Sequence, residues 1–152
     1  MGQIKAICTS ETKGTLKHVV HKALFHTEWG IVGDAHAGDW HRQVSLLGNE
    51  SVDTMREKGA ELHPGDFAEN ILTSGLALRE LPVGTVLAIG DTLLGVTQIG
   101  KVCHHDCEIR KLVGTCVMPT DGIFTVVLRG GTIRPGDAIC VVDAKELLHE
   151  TD

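Results

Sequence analysis

Short runs of alternating apolar and polar residues, each halted by turn residues, recur along this chain and exclude any fold built on long helices. The clearest case is the pair of strand-like runs at 85–89 and 93–99, separated by Gly90-Asp91, a hairpin signal because both residues accept the backbone angles of a tight turn. Pro64-Gly65-Asp66 and Pro135-Gly136-Asp137 repeat that chemistry, and Gly33-Asp34 and Gly38-Asp39 break up the stretch before residue 43. Further strands are expected at 4–8, 43–47, 67–72, 123–128 and 138–142, with a weaker strand pattern over 18–29 and a polar loop at 10–17. One helix is expected after Asn49, as a capping residue, carrying Val52 and Met55 inward and stopping near Gly59. Residues 145–149 suit a final helical turn. Many short strands and few short helices predict a mostly β domain, a closed or nearly closed β-barrel, since closure removes exposed strand edges.

Length and charge narrow the function. The 152 residues suit one domain, 1–152, with no linker. Twenty acidic residues against 14 basic ones, a net charge of −6, give no field to hold a polyanion, so nucleic acid is excluded as a partner. A small anion is still allowed, because a local cluster of donors can bind phosphate on an acidic protein. No run of about 18 apolar residues occurs and the first residues lack a signal-peptide pattern, so a cytoplasmic protein without membrane contact is expected.

Two constellations carry chemistry. In IGKVCHHDCEIRKLVGTCVMP, three of the five cysteines (Cys103, Cys107, Cys116) stand beside His104 and His105, with Lys101 and Arg110 adding positive charge that favours thiolate. An odd number of clustered cysteines points to metal, cofactor or thiol chemistry ahead of a disulfide framework. Three readings stay open: a reactive or cofactor-bound cysteine, a structural zinc site whose Cys-x3-Cys spacing departs from zinc knuckles, and buried apolar thiols. In GDAHAGDWHRQ, a glycine-rich loop presents Asp34, His36, Asp39, His41 and Arg42, a set suited to an anionic cofactor tail or to turn chemistry alone. His18, His21 and His26 are spaced so that they share no strand face. Glu69 and Asn70, between a turn and an apolar run, are either a hydrogen-bonded strand end or part of a site.

Taken in order, VGDAHAG with HRQVSLL, PGDFAENI, GLALRELPVG, IGDTLLGVTQIGKVCHHDC and VMPTDGIFTVVLRGG with PGD resemble the MOSC family over residues 4–142. These are β-barrel domains related to the C-terminal part of molybdenum cofactor sulfurases. The likeness is greatest to short stand-alone members that also occur fused or adjacent to molybdenum cofactor biosynthesis proteins.

The resemblance implies a molybdenum or tungsten pterin cofactor in a pocket, with a cysteine that ligates the metal or carries sulfur as a persulfide. By motif that cysteine is Cys103, and Cys107 and Cys116, which belong to the short-form pattern, join it as candidate metal ligands. Cofactor contacts fall on His36, Asp39, His41, Arg42, Asn70, Lys101 and His104. The role implied is cofactor maturation, storage or transfer, with cofactor biosynthesis proteins or a molybdoenzyme as partners and a separate sulfur or electron donor. These 152 residues include no pyridoxal-phosphate desulfurase domain, so sulfur would come from elsewhere. Two alternatives remain: a small oxidoreductase reducing N-hydroxylated compounds with the same cofactor, and a zinc-stabilised binding domain without catalysis.

Overall fold

The computed structural model describes residues 2–13, 15–57, 59, 61–100 and 121–142. Seven strands close a barrel in the order β1 (Gly2–Thr9), β11 (Ala138–Val142), β7 (Val86–Ile89), β8 (Thr92–Ile99), β9 (Ile123–Arg129), β5 (Val44–Gly48), β6 (Ile71–Ser74) and back to β1. Closure depends on β1 pairing twice. Ile4 to Ile7 register against β6, while Gly2 and Gln3 face Ile139 and Ala138 of β11. The far end of β1 is extended by β2 (His18–Val20), and a separate sheet orders β10 (Gly131–Ile133), β3 (Ala23–His26) and β4 (Gly30–Ile31).

Alternation puts Val44, Leu46, Ile71, Leu87, Ile89, Leu94, Val96, Ile123 and Val127 inside, in one apolar cluster with Phe25, Ile31 and Ile133 of the small sheet. On β1 both Ile4 and Ile7 belong to that cluster although three positions apart, because the register against β6 shifts between Ile4 and Ala6. A second cluster lies on the outside of the barrel. There Ala6, Cys8, Leu47, Leu72 and Phe124 pack with Val52 of α1 (Asn49–Arg56) and with Leu62 and Phe67 from the chain after it. Strand β5 is thus buried along its whole length. It pairs in parallel with β6, and α1 belongs to the crossover that a parallel pair requires.

The Gly90-Asp91 hairpin, the opening strand and the strands near 43, 123 and 138 follow the sequence reading. Three local expectations change. Asn49 is the first residue of α1 and makes no cap; Gly48 holds that position, and the Asn49 Oδ1 accepts a 2.9 Å hydrogen bond from Arg56 Nη1. The crossover leaves β5 with no intervening loop, so the helix begins one residue sooner. The strand expected at 67–72 begins only at Ile71, because Glu69 turns back on its own loop and accepts hydrogen bonds from the Gly65 and Phe67 amides at 2.8 and 3.2 Å. The weak pattern at 18–29 resolves into β2 and β3 with turns between and beyond them. The helical turn expected at 145–149 lies outside the described residues.

Gly65 shows what that loop requires. Its φ of +92° is left-handed, its carbonyl accepts the Lys17 amide at 2.9 Å, and a Cβ there would run into the Lys17 carbonyl. Gly65→Ala should therefore destabilise the protein by about 2–4 kcal/mol, read as a lowered urea midpoint with unchanged m-value.

Candidate functional site

The glycine-rich loop between β4 and β5 is anchored from below by a buried ion pair. Lys17 and Asp34 have side chains wholly removed from solvent, with Nζ 2.7 Å from Oδ1. Asp34 also accepts the Ser10 amide at Oδ1 and the His36 amide at Oδ2, each at 3.1 Å. Burial would raise the Asp34 carboxyl, but the hydrogen bond and charge of Lys17, with the Ser10 amide and the Asn70 side chain, hold it below its usual value. Lys17 is lowered by burial, against the pull of Asp34.

From that anchor the loop rises to Trp40. The indole Nε1 donates to the His36 carbonyl at 2.7 Å, and the two rings stack within 8° of parallel. Two cations lie over the indole ring, Lys13 Nζ at 4.5 Å and the Arg42 guanidinium at 5.1 Å. Arg42 is also 5.5 Å from the ring of Phe124 on β9, and its Nε is buried without a hydrogen-bond partner among the described residues. His41 Nε2 lies 2.7 Å from Gln98 Oε1, its carbonyl accepts from Thr97, and Gln98 Nε2 donates to the Gly100 carbonyl at 2.7 Å. Gln43 ties the loop to the barrel, donating to Gly38 and accepting from the Val127 amide, both at 2.9 Å.

Beside Trp40 and His41 a cleft of about 430 Å3 runs over Val126 and Leu128, with Glu28 and Asp39 on its rim. That size suits a small molecule. The MOSC domain family matches residues 33–140, from the start of this loop to β11. The chain belongs to the MOSC family. Its fold is shared with YuaD from Bacillus subtilis (TM-score 0.76, 20% identity, covering 91% of this chain and 94% of that one). YiiM from Geobacillus stearothermophilus gives a TM-score of 0.73 at 21% identity, over 94% of this chain and 76% of that one. YiiM from Escherichia coli gives 0.66 at 19%, over 93% and 70%. No curated protein matches the chain significantly.

In this MOSC domain the structure brings His36, His41 and Arg42 together around Trp40, while Asp39 is exposed at the cleft rim. Asn70 sits lower. It is fully buried, its Oδ1 accepts the Ser45 amide at 3.0 Å, and its Nδ2 donates to the Cys8 carbonyl at 3.1 Å, so its amide bridges β5 and β1 just before β6 begins. Of the two readings open for this residue, a hydrogen-bonded strand end is what the geometry displays. His18, His21 and His26 are all exposed, and no group of three or more metal-ligating side chains gathers among the described residues. Lys101, Cys103, His104, Cys107 and Cys116 lie outside the described residues.

Sequence reasoning missed Lys17, Trp40 and Gln98. Lys17 stood in a polar loop with no periodic pattern, and its only signal was a cation beside an apolar strand. Trp40 was within the motif, and in a chain with 3% aromatic residues an indole flanked by two histidines and an arginine was the signal available.

Beneath the loop, Cys8 is pushed up to about 12 by burial and the neighbouring Glu69 charge, so it is an inert thiol. Glu69, 1% exposed, is raised to about 7, chiefly by burial, against the backbone amides that favour its charge. A carboxyl whose folded pKa exceeds its unfolded value lends stability below about pH 4.5 and loses it as pH rises through about 7. Urea unfolding at pH 5 and pH 8 should show the stability difference between Glu69→Gln and wild type shifting toward the variant at the higher pH, by on the order of 1–3 kcal/mol.

Proposed function

We propose that this domain holds a molybdenum or tungsten pterin cofactor against the Trp40 loop, with Cys103 as its metal ligand or persulfide carrier, and serves cofactor maturation, storage or transfer. The observation that carries this reading is the cation and aromatic cluster itself: Lys13 and Arg42 over one indole, with His36 and His41 against it, in a chain of net charge −6. An acidic protein that gathers cations from two loops over one ring has the makings of a local anion site. The donor set fits a phosphate-bearing heterocycle. Arg42 has a buried Nε with no hydrogen-bond partner among the described residues, and its guanidinium lies 5.1 Å from the Trp40 ring and 5.5 Å from that of Phe124.

Within this reading Arg42 and His41 bind the phosphate, and His36 donates to an oxygen of the ligand. Asp39 lines the cleft, Asn70 supports the loop from beneath, and Lys101 and His104 add donors. Cys103 follows Gly100 by three residues, and Gly100 is hydrogen-bonded through Gln98 to the His41 end of the cluster. Cys107 and Cys116 are further thiolates of the same stretch. When bound, the cofactor would supply a redox-active metal with sulfur donors, for which thiolate is a suitable ligand. Sulfur or electrons would come from a separate donor protein, and cofactor biosynthesis proteins or a molybdoenzyme would hand over or receive the cofactor. A thiol in that role suits the reducing cytoplasm. Among the described residues, no helix is long and apolar enough to cross a membrane.

Metal and pterin analysis of protein purified anaerobically, as wild type, Cys103→Ser and Arg42→Met, tests the proposal. Wild type should carry molybdenum or tungsten with pterin, Cys103→Ser should lose the metal or its added sulfur, and Arg42→Met should bind inorganic phosphate about tenfold more weakly. Stoichiometric zinc without pterin, or a Cys103→Ser protein that keeps both the metal and the added sulfur of wild type, would overturn it.

A further inference from the structure

The hydrogen bonds beneath the loop specify the protonation of His36. The Lys17 ammonium has three N–H donors and three acceptors in reach: Asp34 Oδ1 at 2.7 Å, Ser10 Oγ at 3.1 Å and His36 Nδ1 at 3.0 Å. Ser10 spends its own proton on the Thr12 carbonyl at 2.9 Å, so toward Lys17 its oxygen accepts. Asp34 receives Lys17 and two backbone amides on its two oxygens, as an ionised carboxylate does. Every direction in the network is thereby assigned except at the imidazole. A charged ammonium has no lone pair, so Nδ1 must accept. A neutral imidazole carries one N–H, which is then on Nε2, and an imidazolium would set Nδ1–H against an ammonium at 3.0 Å.

We propose that Lys17 is a positioning residue that locks His36 in its neutral Nε2–H tautomer, making it a hydrogen-bond donor at the edge of the Trp40 site. The ring is held in place as well as in tautomer. It stacks on Trp40 with centroids 6.3 Å apart, its backbone amide is bound to Asp34 Oδ2, and its carbonyl takes the Trp40 indole proton. Two roles are closed to such a histidine. Nδ1 is taken by an ammonium and Nε2 is protonated, so His36 is neither a metal ligand nor a general base while Lys17 stays in place. Its Nε2–H is a donor without net charge, of the kind that suits a phosphoryl or carbonyl oxygen. The role in the site rests on the functional reading above, whereas the lock stands on the hydrogen-bond directions alone.

Nitrogen-15 NMR of the full chain, labelled at histidine and lysine and kept free of cofactor at pH 8, reads both parts. Expected are a His36 Nδ1 at the shift of an unprotonated nitrogen, an Nε2 at that of a protonated one, and a coupling across the hydrogen bond from Lys17 Nζ to His36 Nδ1. An Nδ1–H tautomer, an imidazolium or a tautomer mixture in the wild type would overturn the proposal, and so would absence of the coupling. Lys17→Met/Asp34→Asn removes both buried charges together and should release His36 into a tautomer mixture; a folded double variant that keeps the wild-type tautomer would show that Lys17 is not its cause. Should that variant fail to fold, the wild-type tautomer and coupling decide the matter. Loss of cofactor binding in the assays above would leave these signals unchanged, so the two proposals fail separately.

Discussion

Closure of the barrel through β1 is the constraint on which the other features depend. One edge of that strand pairs with β6, and its other edge is divided between β11 at Gly2 and Gln3 and β2 from Ile7 to Thr9. Seven strands leave little room for a strand to stop early, because an unpaired amide facing its neighbour would be costly. Where β6 has not yet begun, the side chain of Asn70 supplies the missing connection, spanning from Ser45 on β5 to Cys8 on β1. The loop that precedes β6 is then free to fold over the outside, where Phe67 joins the second apolar cluster.

The charges beneath the Trp40 loop follow from the same architecture. A lysine without side-chain exposure is expensive unless all its protons are taken, and a buried pair gains little net stability over apolar residues of similar shape. What Lys17 and Asp34 contribute is direction. They fasten the end of β1 at Ser10 to the start of the glycine-rich loop at His36, and orient one ring that Trp40 also holds. Rigidity of this kind favours binding, since a site arranged in advance loses less entropy when its ligand arrives.

Features set by neighbours in sequence were legible before the structure. The Gly90-Asp91 hairpin and the strand composition of β5 and β9 are local patterns, and the family resemblance rested on motifs spread over residues 4–142. What was not legible depends on residues that meet only after folding. Glu69 reads as a strand residue until its carboxylate is seen capping the Gly65 and Phe67 amides. Lys17 carries no mark of burial in its own segment, because the carboxylate that draws it inward lies seventeen residues away. At the Trp40 loop the histidines and Arg42 were legible as polar residues of one glycine-rich stretch, but the aromatic ring that gathers them was visible only as one letter among them.

The meeting of Gly2 with Ile139 also bears on how the chain is made. During synthesis β1 emerges well before β11, its companion on that edge, because nearly all of the barrel's sequence lies between them. Until then β1 presents open amides and carbonyls to whatever is near, which is the condition under which nascent β-proteins pair with each other and recruit chaperones. Joining strands so far apart in sequence is also entropically slow, so this small barrel is expected to close only after β11 has been made, in one late step that seals the whole ring.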